Sequence, residues 1–172
     1  MIGPMSPVPL RQRKFDFLLI GFFLINLLFI TYIVDIEQLI IADPENFQQP
    51  LWPPAPLVDL IHWYGHNFDP LLMARPPFWR MTIWIDVIFF GPFYAFAIYA
   101  FIKGRNWIRV PALVWSGTML ANVLIILMDE VYGVTPAKNL PAVLGAIARW
   151  LLMPFVLIWR MRREPFTPRP QA

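Results

Sequence analysis

Four long stretches of the sequence are almost entirely apolar, and charged residues or prolines bound each of them. They span residues 15–34, 81–102, 110–128 and 140–159. A helix rises about 1.5 Å per residue, so about 20 residues cross a hydrocarbon core about 30 Å thick. The first stretch exceeds the roughly 7 to 15 apolar residues of a signal peptide and no small-residue cleavage site follows it. The pattern predicts an all-α integral membrane protein whose four helices form a bundle.

The composition supports a membrane protein over a soluble one. The 172 residues are 58% hydrophobic and only 15% charged, whereas soluble chains carry about 25% charged residues. The net charge of +3 comes from basic residues at the ends of the apolar stretches, so no nucleic acid partner is expected. The absence of cysteine excludes disulfides and thiolate metal sites, and nothing in the sequence requires a cofactor.

The distribution of basic residues predicts the orientation of the chain. Lysine and arginine are preferentially retained on the cytoplasmic side, and three groups would share one side of a four-span protein. These are Arg11, Arg13 and Lys14; Lys103, Arg105 and Arg109; and Arg160, Arg162 and Arg163. We therefore expect both termini in the cytoplasm and residues 35–80 on the opposite side, as part of a single membrane domain over residues 1–172.

The long connection at residues 35–80 is predicted to have structure of its own. Five prolines between residues 44 and 56 forbid a continuous helix there. Residues 57–68 have apolar positions at helical spacing, which indicates a short interfacial helix. His62 and His66 on it have the i, i+4 spacing of a histidine metal pair, but the metalloprotease motif is absent and we expect no metal.

Three ionisable residues within or at the ends of the spans are candidate functional residues, because a charge near the bilayer centre costs about 2.5 to 3.5 kcal/mol. They are Asp35, Asp86 and Arg149. Asp35 could instead be a solvated carboxylate at a helix end. Asp86 and Arg149 could instead form a structural ion pair.

Polar and aromatic residues on the last two spans indicate faces that look into the bundle. Trp115, Thr118 and Asn122 share one face of the third span, and Ala146, Trp150 and Met153 share one face of the fourth. Lipid would leave the Asn122 amide without partners, so its face should turn inward. Thr118 and Asn122 could equally serve only to hold helices together.

Several ordered motifs resemble the EXPERA (emopamil-binding protein-like) family, and specifically its receptor branch. The motifs are Phe68-Asp69-Pro70-Leu71-Leu72, Pro76-Pro77-Phe78-Trp79, Phe101-Ile102-Lys103-Gly104 and Trp107-Ile108-Arg109-Val110-Pro111-Ala112. The match extends from about residue 15 to 163. Such motifs are far more specific than four spans alone.

The resemblance implies a cavity within the membrane that binds sterols or cationic amphiphiles, together with dimerisation and an endoplasmic reticulum address in a eukaryote. In the receptor branch a ligand amine pairs with the acid matched by Asp35, supported by the acids matched by Asp69 and Asp86. Trp150 matches an aromatic residue of the cavity. The basic carboxyl-terminal retrieval signal of the animal receptor is missing here, and Arg149 stands where that branch has proline.

A sister branch of the family isomerises sterols, using a histidine and a glutamate four residues apart in the first span. This chain has Asn26 and Ile30 there, and neither side chain is a proton carrier for acid–base chemistry. We therefore expect a non-enzymatic binding protein in lipid homeostasis or trafficking, with Asp35, Asp69, Asp86, Trp115, Asn122, Arg149 and Trp150 at the ligand. The alternatives are an isomerase with a different acid–base set, including Asp86, and an adaptor that binds proteins through residues 35–80.

Overall fold

The computed structural model describes residues 7–167, and these residues form helices, turns and loops with no strand. Four helices are long and apolar enough to cross a membrane, as predicted. We name them α1 (Lys14–Ile40), α4 (Pro77–Lys103), α5 (Asn106–Tyr132) and α6 (Leu140–Met161). The shorter α2 (Ala55–Asn67) and α3 (Leu71–Ala74) lie between α1 and α4, so the helix predicted over residues 57–68 is confirmed.

The first two spans are longer than predicted at the end where the loop of residues 41–76 connects them. We placed the end of the first span at residue 34 because Asp35 and Glu37 are acidic, but both are buried and the helix continues to Ile40. The second span begins at Pro77, whose missing N–H is tolerated in a first helical turn. Asp35 is therefore inside α1 and not a solvated carboxylate at its end.

Two segments of the spans are π-helical, Asn26–Asp35 in α1 and Asp86–Phe90 in α4. Pro92 follows the second segment and cannot donate a backbone hydrogen bond, which favours the wider turn before it. The first segment packs against Gly91, directly after the second segment, where an added Cβ would lie 2.8 Å from Thr31 Cγ2. Glycine here lets α1 and α4 approach closely.

An aromatic core joins α1, α4 and α5 in the half of the bundle that contains the basic residues. Trp115 is fully buried in it and stacks on Phe93 with ring centroids 5.3 Å apart. Phe23, Phe90 and Tyr94 surround the same ring. Trp115 therefore belongs to the packed interior of the bundle.

The three basic groups lie together at one end of the bundle, as the charge pattern requires. Arg160 on α6 donates to Asp16 on α1 at 2.8 Å, and Arg13 also pairs with this buried carboxylate. Arg109 donates to the carbonyl of Met161 at 2.8 Å. Arg13 also donates to the carbonyl of Phe101 on α4 at 2.7 Å, so these contacts join the ends of all four spans. Both chain termini, whose cytoplasmic location we predicted, fall outside the described residues.

Candidate functional site

A cavity of about 360 Å³ lies between α1, α2, α4, α5 and α6. Most of its wall is apolar and comes from every one of these helices. The apolar lining includes Ile30, Val34, Leu60, Ile61, Trp63, Leu72, Ile83, Met119, Val123, Ile126 and Ile147. Six of the seven residues predicted for a ligand site also line it: Asp35, Asp69, Asp86, Asn122, Arg149 and Trp150.

The exception is Trp115, which we expected at the ligand. It lies in the aromatic core and not in the cavity wall. Met119 and Asn122, on the same side of α5, do line the cavity. Thr118 does not, and its hydroxyl donates to the carbonyl of Val114 on its own helix.

Asp35 and Asp86 form a buried pair of carboxyl groups in the cavity wall. Their side chains lie next to each other, and Thr31 Oγ1 donates to Asp86 Oδ1 at 2.8 Å. The second carboxyl oxygen of Asp35 has no donor among residues 7–167. Two carboxylates in contact in a low dielectric cannot easily both ionise, so we expect the pair to share one proton and to carry one negative charge.

The π-helical segments bring these two acids together. Asp35 is the last residue of the segment in α1, and Asp86 is the first of the segment in α4. Inserted π turns occur frequently at functional sites because they redirect side chains. The close approach at Gly91 and the Thr31 hydrogen bond then fix the pair across the interface between the two helices.

A second pair of carboxyl groups, Asp69 and Glu130, lies at the end of the cavity near α2. The two side chains are in contact and both residues are buried. Neither Glu130 oxygen meets a donor among the residues described, so this contact also needs a proton. Burial raises the pKa of the Asp69 carboxyl group. The pKa of the neighbouring Tyr64 phenol is also raised, mainly by burial and to a smaller extent by the negative charge of Asp69.

Two amide side chains organise the opposite wall. Trp150 Nε1 donates to Asn26 Oδ1 at 2.6 Å, and Asn26 Nδ2 donates to the carbonyl of Phe22 at 2.7 Å. Asn122 Nδ2 donates to the carbonyl of Thr82 at 3.4 Å. Asn26 thus fixes the Trp150 indole, and Asn122 links α5 to α4.

Arg149 does not form the ion pair with Asp86 that the sequence left open, and it forms none with Asp35 either. No ion pair of 4.0 Å or less among residues 7–167 includes Arg149. Its guanidinium lies over the Trp150 ring instead, 4.0 Å from the ring centroid. The residue is exposed on α6 while it lines the cavity, so it lies at the rim of the cavity.

A buried ion pair supports the cavity from the loop side. Glu37 Oε1 accepts from Arg75 Nη2 at 2.7 Å and contacts His62 Nε2 at 2.8 Å. His66 points away to Glu45 at 3.6 Å, so the two histidines serve different contacts. Within residues 7–167 no group of three or more His, Asp or Glu residues could hold a metal ion.

The sequence reading missed Thr31, Tyr64, Thr82 and Glu130. A usable signal was present for the threonines, because Thr31 precedes Asp35 by four residues and Thr82 precedes Asp86 by four. That spacing puts each threonine and aspartate on one helical face. Glu130 had no such signal, because its partner Asp69 is on a distant loop.

The fold and the cavity define a class: a four-span membrane protein with a buried acidic pair facing an apolar cavity. The model of the EXPERA (EXPanded EBP superfamily) family matches residues 56–161, which is more than half of the chain. The protein belongs to the EXPERA family, as the motifs predicted.

Curated relatives come from the receptor branch. The protein named Sigma intracellular receptor 2 from Xenopus tropicalis is 32% identical over 147 residues, covering 79% of this chain and 81% of the relative. Proteins of the same name from Macaca fascicularis and Homo sapiens are 28% and 27% identical, each covering 92% of this chain and 93% of the relative. The likeness therefore extends over most of the chain.

Proposed function

We propose that this membrane protein binds a sterol-like or cationic amphiphilic lipid in the cavity and acts in lipid or sterol homeostasis or trafficking. The observation that carries the proposal is the Asp35–Asp86 pair in a wall that is otherwise mostly apolar. Ligand cavities commonly combine an apolar lining with a few polar groups that fix orientation. The apolar wall would hold the hydrocarbon body, and the pair would hold a hydroxyl or an amine.

The shared proton suits this pair to either head group. With one negative charge, the pair can form a charge-assisted hydrogen bond with a ligand amine. The protonated carboxyl can also donate to a sterol hydroxyl. Asp69, beside the same cavity, would support the ligand from the α2 side, with Asn122 and Trp150 as parts of the wall. The relatives are named as receptors, which supports binding over an adaptor role.

Lipid extraction from the purified protein followed by mass spectrometry tests the proposal. We expect a sterol or an amphiphile to co-purify with the wild type and to be lost in Ala146→Trp, because Ala146 lines the cavity and an indole would fill it. Ala121→Trp makes the same substitution at an exposed position of α5 and should retain the lipid. Equal lipid in all three proteins would contradict a ligand in this cavity.

A sterol isomerase is the second candidate, favoured by the same pair of acids. A carboxyl pair that shares a proton can in principle protonate one carbon and deprotonate another. However, the Asn26 amide is already engaged in hydrogen bonds with Trp150 and Phe22, and the Ile30 side chain has no ionisable group. We expect the sterol extracted from the wild type to have its ring double bond in the original position. If the wild type instead yields a sterol with a shifted double bond and Asp86→Asn does not, the protein is an isomerase.

We further propose that both termini face the cytoplasm, in the endoplasmic reticulum membrane of a eukaryote or the cell membrane of a bacterium, and that the protein forms homodimers as its resemblance to the family implies. The natural chain has no cysteine, so single introduced cysteines report topology without background. Arg163→Cys and Gln48→Cys are at exposed positions. The cysteine at position 163 should be labelled only from the cytoplasm, and the cysteine at position 48 only from the opposite side of the membrane. The reverse labelling pattern would show that the protein has the opposite orientation.

A further inference from the structure

Arg149 supplies the cavity with a positive charge that pairs with no carboxylate among residues 7–167. It lines the cavity, and every ion pair of 4.0 Å or less among residues 7–167 omits it. An arginine guanidinium stays charged under all ordinary conditions and presents a planar set of donors that suits carboxylates, sulfates and phosphates. Its natural partner is therefore an anion that the protein itself does not provide.

The position of the guanidinium is built into the fold. It lies 4.0 Å from the centroid of the Trp150 ring, a distance at which a cation is attracted to the aromatic face. The ring is itself held by the 2.6 Å hydrogen bond from Trp150 to Asn26, and Asn26 is buried. A chain of contacts from α1 to α6 thus fixes the platform on which the cation rests.

The cavity wall has charges of opposite sign at separate places. The Asp35–Asp86 pair carries a negative charge on the α1 and α4 side, and Arg149 carries a positive charge on α6. Because no salt bridge joins Arg149 to either aspartate, the two poles remain available at the same time. Apolar side chains such as Ile30 and Ile147 line the space with them.

We propose that the preferred ligand is a zwitterionic amphiphile, with an amine at the Asp35–Asp86 pair, an acidic group at Arg149 and an apolar body between them. This inference rests on the proposed function and narrows its ligand class. A purely cationic amphiphile leaves Arg149 without an anion, and a purely anionic one leaves the acidic pair without a cation. A molecule with both groups complements both poles.

Matched pairs of alkyl compounds test the inference directly. Each primary alkylamine from hexylamine to dodecylamine is compared with the ω-amino acid of the same chain length, from aminohexanoic to aminododecanoic acid, by calorimetric titration into purified protein in a neutral detergent. The series is needed because the separation of the poles selects one chain length. At that length, the added carboxylate should strengthen binding to the wild type about fivefold, the effect of one partly exposed ion pair.

Variants at Arg149 separate its charge from its bulk. In Arg149→Met the gain from the carboxylate should vanish while the alkylamine binds at least as well as before, because a repelling cation has been removed. Arg149→Lys should keep part of the gain. Arg80→Met removes an exposed arginine that does not line the cavity, and it should leave the full gain in place.

Three outcomes would overturn the inference, and they differ from failure of the proposed function. A carboxylate gain that persists in Arg149→Met, or no gain at any chain length in the wild type, would remove Arg149 from the ligand site. The third outcome is that phosphatidylglycerol in nanodiscs binds in an Arg149-dependent way and the ω-amino acids show no Arg149-dependent binding. Arg149 would then contact a lipid headgroup and not a ligand in the cavity. If the alkylamines themselves fail to bind, the cationic-amphiphile form of the proposed function fails as well.

Discussion

Replacing Asp35 with asparagine is expected to weaken the binding of a hydrophobic amine by about a hundredfold or more while the protein remains folded. Removing one partner of a buried, hydrogen-bonded charge pair costs about 2 to 5 kcal/mol. Asp35 is buried in the cavity wall beside Asp86. The asparagine amide can still donate to Asp86, so the helix interface should survive. The remaining negative charge then lies on Asp86, whose carboxylate already accepts from Thr31 and would also accept from the new amide, so it should not replace Asp35 as the partner of the amine.

Equilibrium binding of a radiolabelled cationic amphiphile to purified protein measures this effect. Asp59→Asn is the matched control, because Asp59 is exposed on α2 and does not line the cavity. The control should bind like the wild type. Wild-type affinity in Asp35→Asn, with an intact thermal transition, would show that the amine is held elsewhere.

The second large effect is on stability. Glu37→Leu should destabilise the protein by about 3 to 5 kcal/mol, because it leaves the Arg75 guanidinium buried without its carboxylate. The side chains of Glu37 and Arg75 are 0% and 3% exposed. Arg75 also adopts a left-handed backbone conformation, with φ of 46°, and its guanidinium donates to the carbonyls of Leu72 and Ile41. The pair therefore anchors the turn between α3 and α4.

Thermal and denaturant unfolding in detergent measure this loss. Glu45→Gln removes the acid of an exposed pair, 3.6 Å from His66 with 73% of the Glu45 side chain exposed, and should cost no more than about 0.5 kcal/mol. The double variant Glu37→Leu, Arg75→Met should lose less than the two single changes add up to. Strict additivity would mean that the two side chains do not stabilise each other.

The spans and their common basic end could be predicted from the sequence because hydrophobic length and charge placement are local properties. The true ends of the spans could not be predicted. Acidic residues normally indicate that a helix has left the membrane for water, but Glu37 is neutralised inside the fold by Arg75, which is 38 positions away. A helix that carries its own buried ion pair extends past the point at which its hydropathy pattern ends.

Most residues of the candidate site could also be proposed from the sequence, because an ionisable or amide side chain inside a span must find a polar environment. Asp35, Asp86 and Asn122 line the cavity for this reason. Trp115 lies in the aromatic core and not in the cavity wall, because an indole on an inward face is equally suited to a packed core. The partners of Arg149 and Glu130 depend on side-chain placement between distant elements, which no spacing along the chain encodes.

Photolabelling of the purified protein with a cationic amphiphile that carries a diazirine on its hydrocarbon body tests the central claim most directly. We predict that mass spectrometry will find the label on cavity residues of several helices, such as Ile61, Met119 and Ile147, and that excess unlabelled amine will prevent it. Label confined to exposed, lipid-facing residues such as Leu28 and Leu124, and unaffected by competitor, would contradict a ligand in this cavity.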